Sequence, residues 1–457
     1  MGLPVRRVWP DGVVQKVVGS AKGMAPSAKI DSYDWNNDIA EMASRAATEP
    51  GPANNLDLSN HSYNFVTGWN YVYNGIRVWK RYGDGNSSTA IERDFGHDHS
   101  STRDQDSLVY NAPDDLIFRS AGNEKTDNPA AGKLVALLSG SSSVVTFDPA
   151  LHPSGDGQYR GGFETIGFAA LAKNIVTIGS ASDAVTAGFR DLLKANVSVF
   201  SSWGPADDGR IKPELVANGE AVYSPLPGSN SAYGSYWGTS MATPNACGST
   251  ALLLVHYGNL FSGGALRASS MKGLLIDTAD DRGSPGPDYR YGWGLVNAME
   301  AADLISDFQS NSERQGISEN TVSTAVTSKS LIFFWDGVSP IRATLCWTDP
   351  AGNATSISDL RSPRLSNDLD VTSSGSGTVF ASNGYQTSIR SGRRPSGRSD
   401  FAGLQAWSGD SNGFREVIVN LTDQTKFSGN NGQLRWVLTT TDGTGGGSRH
   451  LDSISLI

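Results

Sequence analysis

The sequence predicts a parallel α/β sheet with flanking helices, followed by an all-β sandwich or jelly roll. From about Ala21 to Asp307, short β-rich runs alternate with helix-like runs, which favours a parallel sheet. From about Asn320 onward, short apolar strands are separated by Gly/Ser/Asn-rich turns, the pattern of an antiparallel sandwich. Between Asp307 and Asn320 the sequence is polar and patternless, and the boundary is placed there.

In the first region "AKIDSYDW" reads as a strand and "NDIAEMASRAA" as a helix with Asp38 near its start. "DDLIFRSAG" and "KNIVTIGSA" read as buried strands, and "SMKGLLIDTA" and "NAMEAADLI" as helices. In the second region "SLIFFWDG", "IRATLCWTD", "FREVIVNLTD" and "QLRWVLTTTDG" read as strands, while "SGSGT" and "GTGGGS" are loops.

The bulk numbers bound the function. A chain of 457 residues is long enough for two or three domains with cores of their own. Hydrophobic residues make up 38% and charged residues 18%, a globular composition. A net charge of −9 argues against nucleic acid or an anionic membrane as partner. No apolar run approaches the ~20 residues that span a bilayer. The first twenty residues carry basic side chains but no apolar core of signal-peptide kind. Two cysteines, Cys247 and Cys346, leave disulfide and compartment open.

Chemistry concentrates in "YWGTSMATPNACGSTALLL", which begins at Tyr236. Gly238 permits a sharp turn. Ser240 then stands at the start of an apolar helix, where unpaired N–H groups and the dipole favour developing negative charge. Pro244 is expected in the first helical turn, where proline is tolerated. An N-cap serine before a core helix is the bland reading, but the seven-residue context favours a nucleophile. In "FRSAGNE" a buried strand ends at Asn123. That is the carboxyl end, where open α/β sheets place their sites, and an amide there can donate to an oxyanion. The polar run from Leu58 to Tyr63 can pair with an extended peptide by strand addition, or be an ordinary edge strand. "VSVFSSWGPADDGRIKPELVANG" reads equally as a structural loop or as part of the site.

Together, "GTSMATP", "SAGN", "FSSWGP", "DDGRIKPELVANG" and "GPDYRYGWGLVNA" resemble the subtilisin-like serine proteases. "ATLCWTDP" and "LSNDLDV" resemble the subgroup with a C-terminal jelly roll. The resemblance covers nearly all of the chain from about Lys22. It divides the chain into an atypical segment 1–21, an N-terminally incomplete subtilisin-like peptidase domain 22–309 and a β-sandwich domain 320–457. It implies a seven-stranded parallel sheet, secreted endopeptidase activity on protein or peptide substrates, and calcium sites. Ser240 becomes the nucleophile and Asn123 the side-chain oxyanion donor beside the Ser240 N–H. Ser59, Asn60, His61, Ser62 and Tyr63, with Gly238 and Thr239, become substrate-binding residues. Where the family usually carries glycine after that tyrosine, this chain has Asn64, whose side chain can crowd the specificity pocket.

The family's catalytic Asp and His are not found. Its "HGTHVAG"-like helix belongs shortly before Gly23–Pro26, and the 22 residues preceding that segment contain no histidine. Asp11 lies in a Pro-Asp-Gly turn signal. His61 falls in the substrate strand. His97 and His99, with Asp94 and Asp98, read as a solvated loop or a metal site. His152 and His450 read as loop residues, and His256 as a complement to the C-terminus of the Ser240 helix. Losing the base costs a subtilisin on the order of a millionfold in turnover, so the chain as written is expected to be nearly inert. The abrupt edge near Ala21 leads to the expectation of a shifted reading frame or a misplaced start. The alternatives are a peptide-binding pseudoprotease and a split protease completed by another chain. In the second region Asp368 and Asp370, two apart beside Asn367, are candidate calcium ligands. "DLRSPR" and "IRSGRRPSGR" form a basic patch, read as a solvated loop.

Overall fold

The computed structural model describes residues 21–33, 35–46, 56–74, 76–82, 92–136, 144–229, 231–310, 316–322, 328–334, 341–355, 364–375, 378–381, 405–406, 414–419, 431–439 and 449–456. The segment 1–21 thus lies almost wholly outside the described residues, as does "IRSGRRPSGR".

The first region builds α1 (Asp38–Arg45), β1 (Leu58–His61), β2 (Gly68–Asn74), β3 (Ile76–Tyr82), α2 (Ser100–Asn111) and β4 (Leu116–Ser120). Then come β5 (Leu134–Ala136), β6 (Val144–Thr146), β7 (Val176–Ala181), and a two-stranded ribbon of β8 (Val185–Thr186) and β9 (Phe189–Arg190). Next are β10 (Leu215–Asn218), the hairpin of β11 (Val222–Pro225) and β12 (Tyr233–Tyr236), and the helices α3 (Thr239–Leu260), α4 (Ala268–Asp277) and α5 (Ala298–Ser310).

Strands β1, β4, β7 and β10 form a parallel sheet in that order. Among the described residues it has four strands, where the resemblance implies seven. Its strands carry apolar residues on both faces, as a parallel sheet covered on both sides requires. Leu116, Phe118, Val176 and Ile178 pack against Ala242, Ala246 and Leu253 of α3 and against Leu274 and Leu275 of α4. Ile117 points the other way, to Met42 of α1 and Leu108 and Val109 of α2. A second sheet, β2-β3-β5-β6, stands beside this core around Trp69, Val135 and Phe147. The expected strand "AKIDSYDW" does not form: a strand needs a hydrogen-bonded neighbour, and residues 28–33 have no ladder.

In the second region the backbone forms two antiparallel sheets. One runs β13 (Asn320–Val322), β21 (Arg449–Leu456), β15 (Ile341–Thr348), β19 (Phe414–Val419) and β18 (Gln405–Ala406). The other runs β14 (Ser328–Phe334), β20 (Asn431–Thr439), β16 (Asp368–Gly375) and β17 (Thr378–Ala381). Strand β15 is not independent of the first region. Cys346 belongs to the core under α3, α4 and α5, and Thr344 donates to Asp277 of α4 at 2.5 Å. Just beyond β15, the fully buried Lys173 and Asp349 pair at 3.0 Å. Asn174 Nδ2 donates to the Asp349 carbonyl at 2.8 Å, and the Asp349 amide donates back to Asn174 Oδ1 at 3.0 Å. Cys247 and Cys346 are both free thiols.

Candidate active site

The site is assembled where β1 and β4 end and α3 begins. Helix α3 starts directly after Gly238, and its first N–H groups lack intrahelical acceptors. Thr239 uses its own: its amide and hydroxyl donate to Asn123 Oδ1 at 3.0 and 3.1 Å. The Gly122 amide in turn donates to Thr239 Oγ1 at 3.2 Å. With its oxygen held this way, the Asn123 amide presents Nδ2 to the open side. A Cβ placed on Gly238 would lie 3.6 Å from the Ser240 amide nitrogen and 3.8 Å from Asn123 Nδ2. Met241 Sδ lies nearest that point, at 3.5 Å, and Gly238 leaves the point open with its backbone at φ 153°. Two N–H donors close to one open point are suited to a developing oxyanion.

Ser240 is held to the end of β1 by a reciprocal pair of hydrogen bonds. Ser240 Oγ donates to the Ser62 carbonyl at 3.0 Å, and Ser62 Oγ donates to the Ser240 carbonyl at 2.8 Å. Asn60 Nδ2 donates to Ser62 Oγ at 3.1 Å and orients it. The Ser240 carbonyl is free for this because of Pro244, which is the sixth residue of α3 and not in its first turn as the sequence suggested. A residue with an N–H at 244 would donate to that carbonyl in the ordinary i→i−4 pattern; proline has none. The helix interior thus tolerates a proline at the one place where the freed carbonyl is used by Ser62.

The other substrate-strand residues divide between the two faces of β1, as period-two alternation requires. Ser59 and His61 face α1: Ser59 Oγ and His61 Nε2 lie 3.5 and 3.1 Å from Met42 Sδ. His61 Nδ1 is 2.7 Å from the Tyr63 hydroxyl, which donates to Asp38 Oδ2 at 3.1 Å. Burial, then the nearby Arg119 charge, pushes the His61 ring down to about 3, so it is neutral and committed to a structural cluster. Its side chain is on the face away from Ser240, and only its backbone is available to a substrate. Burial likewise raises the Tyr63 phenol.

The remaining histidines are also accounted for. His97 is buried beside Asp207, with Nδ1 3.9 Å from its carboxylate, and Asp98 pairs with the buried Arg210 at 3.0 Å. The solvated loop expected around "DFGHDHSS" is therefore corrected: Phe95, Gly96 and His97 are buried and the other five residues half-buried. His99 caps α2, with Nδ1 accepting from the Ser101 amide. His152 Nδ1 accepts from the Asp148 amide at 2.8 Å. His256 meets Ser306 Oγ of α5 at 2.8 Å, a helix-to-helix contact and not the expected complement of the α3 C-terminus. The side chain of His450 lies outside the described residues. Among the described residues no imidazole hydrogen bonds to Ser240, and no group of three or more His, Cys, Asp or Glu is placed to hold a metal. Asp368 and Asp370 open β16, but their side chains also fall outside the described residues.

Beside Asn123, burial raises the carboxyl of Glu124, whose Oε2 accepts from Ser202 Oγ at 2.9 Å. Asp127 is pushed up to about 7 by burial and by Glu124. Sequence reasoning missed the anchoring role of Thr239 and the Ser62–Ser240 exchange. The signal for the second was a proline four residues after the serine. The "DDGRIKPELVANG" run proves structural: Lys212 and Lys272 both reach the buried Glu214, at 2.8 and 3.0 Å, under β7 and α4.

The sequence comparisons bear on the family of the chain. The family model for the subtilases matches residues 12–294, ahead of the edge near Ala21 that the motifs indicated. The chain is similar to the serine protease/ABC transporter B family protein tagD of Dictyostelium discoideum, 24% identical over 80% of this chain and 24% of that protein. It is 34% identical to bacillopeptidase F of Bacillus subtilis over 28% of this chain and 9% of the relative. It is 31% identical to subtilisin DY of Bacillus licheniformis over 33% of this chain and 44% of the relative. The matches thus span about a quarter of the first relative's length and less than half of either other. With a match over more than half of its residues, the chain belongs to the subtilase family of serine proteases.

Proposed function

We propose that this chain carries the nucleophile half of a serine endopeptidase site that hydrolyses peptide bonds by acyl transfer. Once a base, which the described residues do not supply, takes the Ser240 Oγ proton, Oγ attacks the peptide carbonyl; the oxyanion is held by the Ser240 amide and Asn123 Nδ2, and its collapse expels the amine, which leaves with that proton. The observation that carries this reading is that both donors lie within 4 Å of the space left open by Gly238. The substrate is an extended polypeptide lying along the end of β1, through the backbone of Ser59–Tyr63. Extracellular action, a C-terminal jelly roll, and structural calcium at Asp368 and Asp370 belong to the same proposal by family resemblance. Calcium is supported by the buried Asn367 Oδ1, which has no partner among the described residues.

A second reading, a module that binds peptides without cutting them, is favoured by one observation: the Ser240 hydroxyl donates to the Ser62 carbonyl and to no base. We expect the 457-residue chain to show no measurable casein hydrolysis. A peptide boronic acid, which needs the serine and the oxyanion donors but no proton shuttle, should still bind. Its affinity should fall at least tenfold in Ser240→Ala. Casein hydrolysis abolished by Ser240→Ala would establish a working base and discard the second reading. Boronate binding indifferent to Ser240→Ala would overturn the assignment of the nucleophile.

A further inference from the structure

On a chain of net charge −9, two cations share one indole beside the oxyanion donor. Lys125 lies in the short 3-10 turn Glu124–Thr126, and two residues of chain reach at most about 7 Å, so it flanks Asn123. Its Nζ sits 4.0 Å from the centroid of the Trp203 ring, and the Arg290 guanidinium carbon sits 4.4 Å from the same centroid. Arg290 also lies 5.3 Å from the ring centroid of Phe163, which packs against Trp203. Backbone bonds hold these segments together. The Ser202 amide donates to the Gly122 carbonyl at 3.0 Å, and the Glu124 amide donates to Ser202 Oγ at 3.3 Å. The Gly204 amide donates to the Tyr289 carbonyl at 3.1 Å.

Neither cation has a carboxylate partner among the described residues. The acids nearest in sequence are engaged elsewhere: Glu124 accepts from Ser202, and Asp288 accepts from the amides of Ser284, Arg290 and Tyr291. Lys125 Nζ has only the Val199 carbonyl, at 3.4 Å. The buried Trp203 Nε1 has no acceptor among the described residues either. An aromatic face orients a cation but leaves its N–H groups free to donate. Two like charges on one ring repel, and burial, then the Arg290 charge, lowers the Lys125 ammonium. An anion bound here relieves that repulsion and takes charge-assisted hydrogen bonds. Arg290 is exposed and Lys125 and Trp203 are half-buried, so a ligand can reach the cations.

We infer that Lys125 and Arg290, held on Trp203, bind the carboxylate of an acidic residue in the polypeptide whose carbonyl faces Ser240 and Asn123. This rests on the reading of those two residues as a peptide site. The probes are two eleven-residue peptides of alanine and serine, blocked at both ends, with glutamate or glutamine at the centre. The flanks let the central residue reach the patch in any register. Binding to the full chain is measured by calorimetry. The native chain should bind the glutamate peptide at least tenfold more tightly, and about 0.5 M sodium chloride should erase most of that difference. Lys125→Met/Arg290→Met keeps the aliphatic stems on the ring. It should bring the glutamate peptide down to the glutamine peptide and leave the latter unchanged, while Arg290→Lys should keep the preference. Equal binding of the two peptides by the native chain, or a glutamate preference that survives the double variant, overturns the proposal and leaves the peptide site standing. If the double variant binds neither peptide, Lys125→Met and Arg290→Met must each weaken the glutamate peptide alone, or the proposal falls. Sodium phosphate binding more tightly than the glutamate peptide would make the ligand a free anion and overturn the polypeptide assignment. If neither peptide binds the native chain but the boronate does, the proposal falls alone; if none of the three binds, both readings fall.

Discussion

Asp115 offers a direct test of how this core is balanced. It immediately precedes β4, is fully buried, and neither carboxylate oxygen has a partner among the described residues. Burial pushes its carboxyl up to about 8, and the neighbouring Asp57 charge adds to the effect. The folded chain therefore holds Asp115 protonated at pH 7, whereas the unfolded chain ionises it near its ordinary 3.8. A raised acid stabilises the folded state fully only below the unfolded value, and its contribution is lost as pH rises from 3.8 toward 8. At about 1.4 kcal/mol per pH unit, the loss at pH 7 is about 4 kcal/mol. Asp115→Asn keeps the shape and removes the ionisation, so it should stabilise the chain at pH 7 and do almost nothing at pH 4. The assay is urea unfolding followed by tryptophan fluorescence, native against variant, at half-unit steps from pH 4 to pH 8. The difference in stability should grow steadily with pH. A variant no more stable than the native chain at pH 7, or a gain of equal size at pH 4, would refute the reasoning, because either shows that Asp115 is not held as an unpartnered buried acid.

Further outcomes follow from the same structure. Lys173→Met strands the buried Asp349 and should cost about 3–5 kcal/mol in urea unfolding, with Lys173→Met/Asp349→Leu recovering most of it. Asn123→Ala should lower boronate affinity or, if a base is supplied and turnover is seen, lower turnover by about 10²–10³, the range known for losing this donor in subtilisin. Pro244→Ala supplies the missing N–H to the Ser240 carbonyl. It should raise the urea midpoint while weakening boronate binding, since the new N–H competes with Ser62 Oγ for the Ser240 carbonyl. Chelation by EGTA should lower the melting temperature of the native chain and leave Asp368→Asn/Asp370→Asn unmoved. An equal response from both would remove calcium from β16.

Much of the fold was legible because buried strands and helices announce themselves. "LIFRS" and "VTIGSA" are buried at every position, which Leu116–Phe118, Val176 and Ile178 announced and Arg119, Ser120, Thr177 and Ser180 did not. Helices α1, α4 and α5 fall where their periodicity placed them. What the sequence could not carry was partnership. "AKIDSYDW" has strand composition, but strand formation depends on a neighbour that composition does not name. The polar look of "DFGHDHSS" concealed a stretch that is buried at Phe95–His97 and half-buried elsewhere, with Asp98 paired to Arg210 more than a hundred residues on. The turn-rich strands of the C-terminal region gave no sign that Cys346 and Asp349 pack against the first region.

The site itself follows the same division. Ser240 and Asn123 could be picked out because glycine-rich strand ends and helix starts restrict which residues can stand there. Their coupling could not, since it runs through the Thr239 hydroxyl, which reads as a generic small residue, and through a proline whose value is the hydrogen bond it fails to make. That missing bond ties nucleophile to substrate strand: Pro244 frees the Ser240 carbonyl, Ser62 takes it, and the Ser240 hydroxyl returns a bond to Ser62. The exchange keeps the serine docked against β1 at the place where a peptide would lie. A base able to draw the Ser240 proton must compete with the Ser62 carbonyl for it, and a peptide adding to β1 must approach the same carbonyl. In the proposed function, substrate binding and activation of Ser240 therefore meet at Ser62. Replacing its side chain should disturb both, while replacing His61, on the opposite face of the same strand, should disturb chiefly the packing on α1.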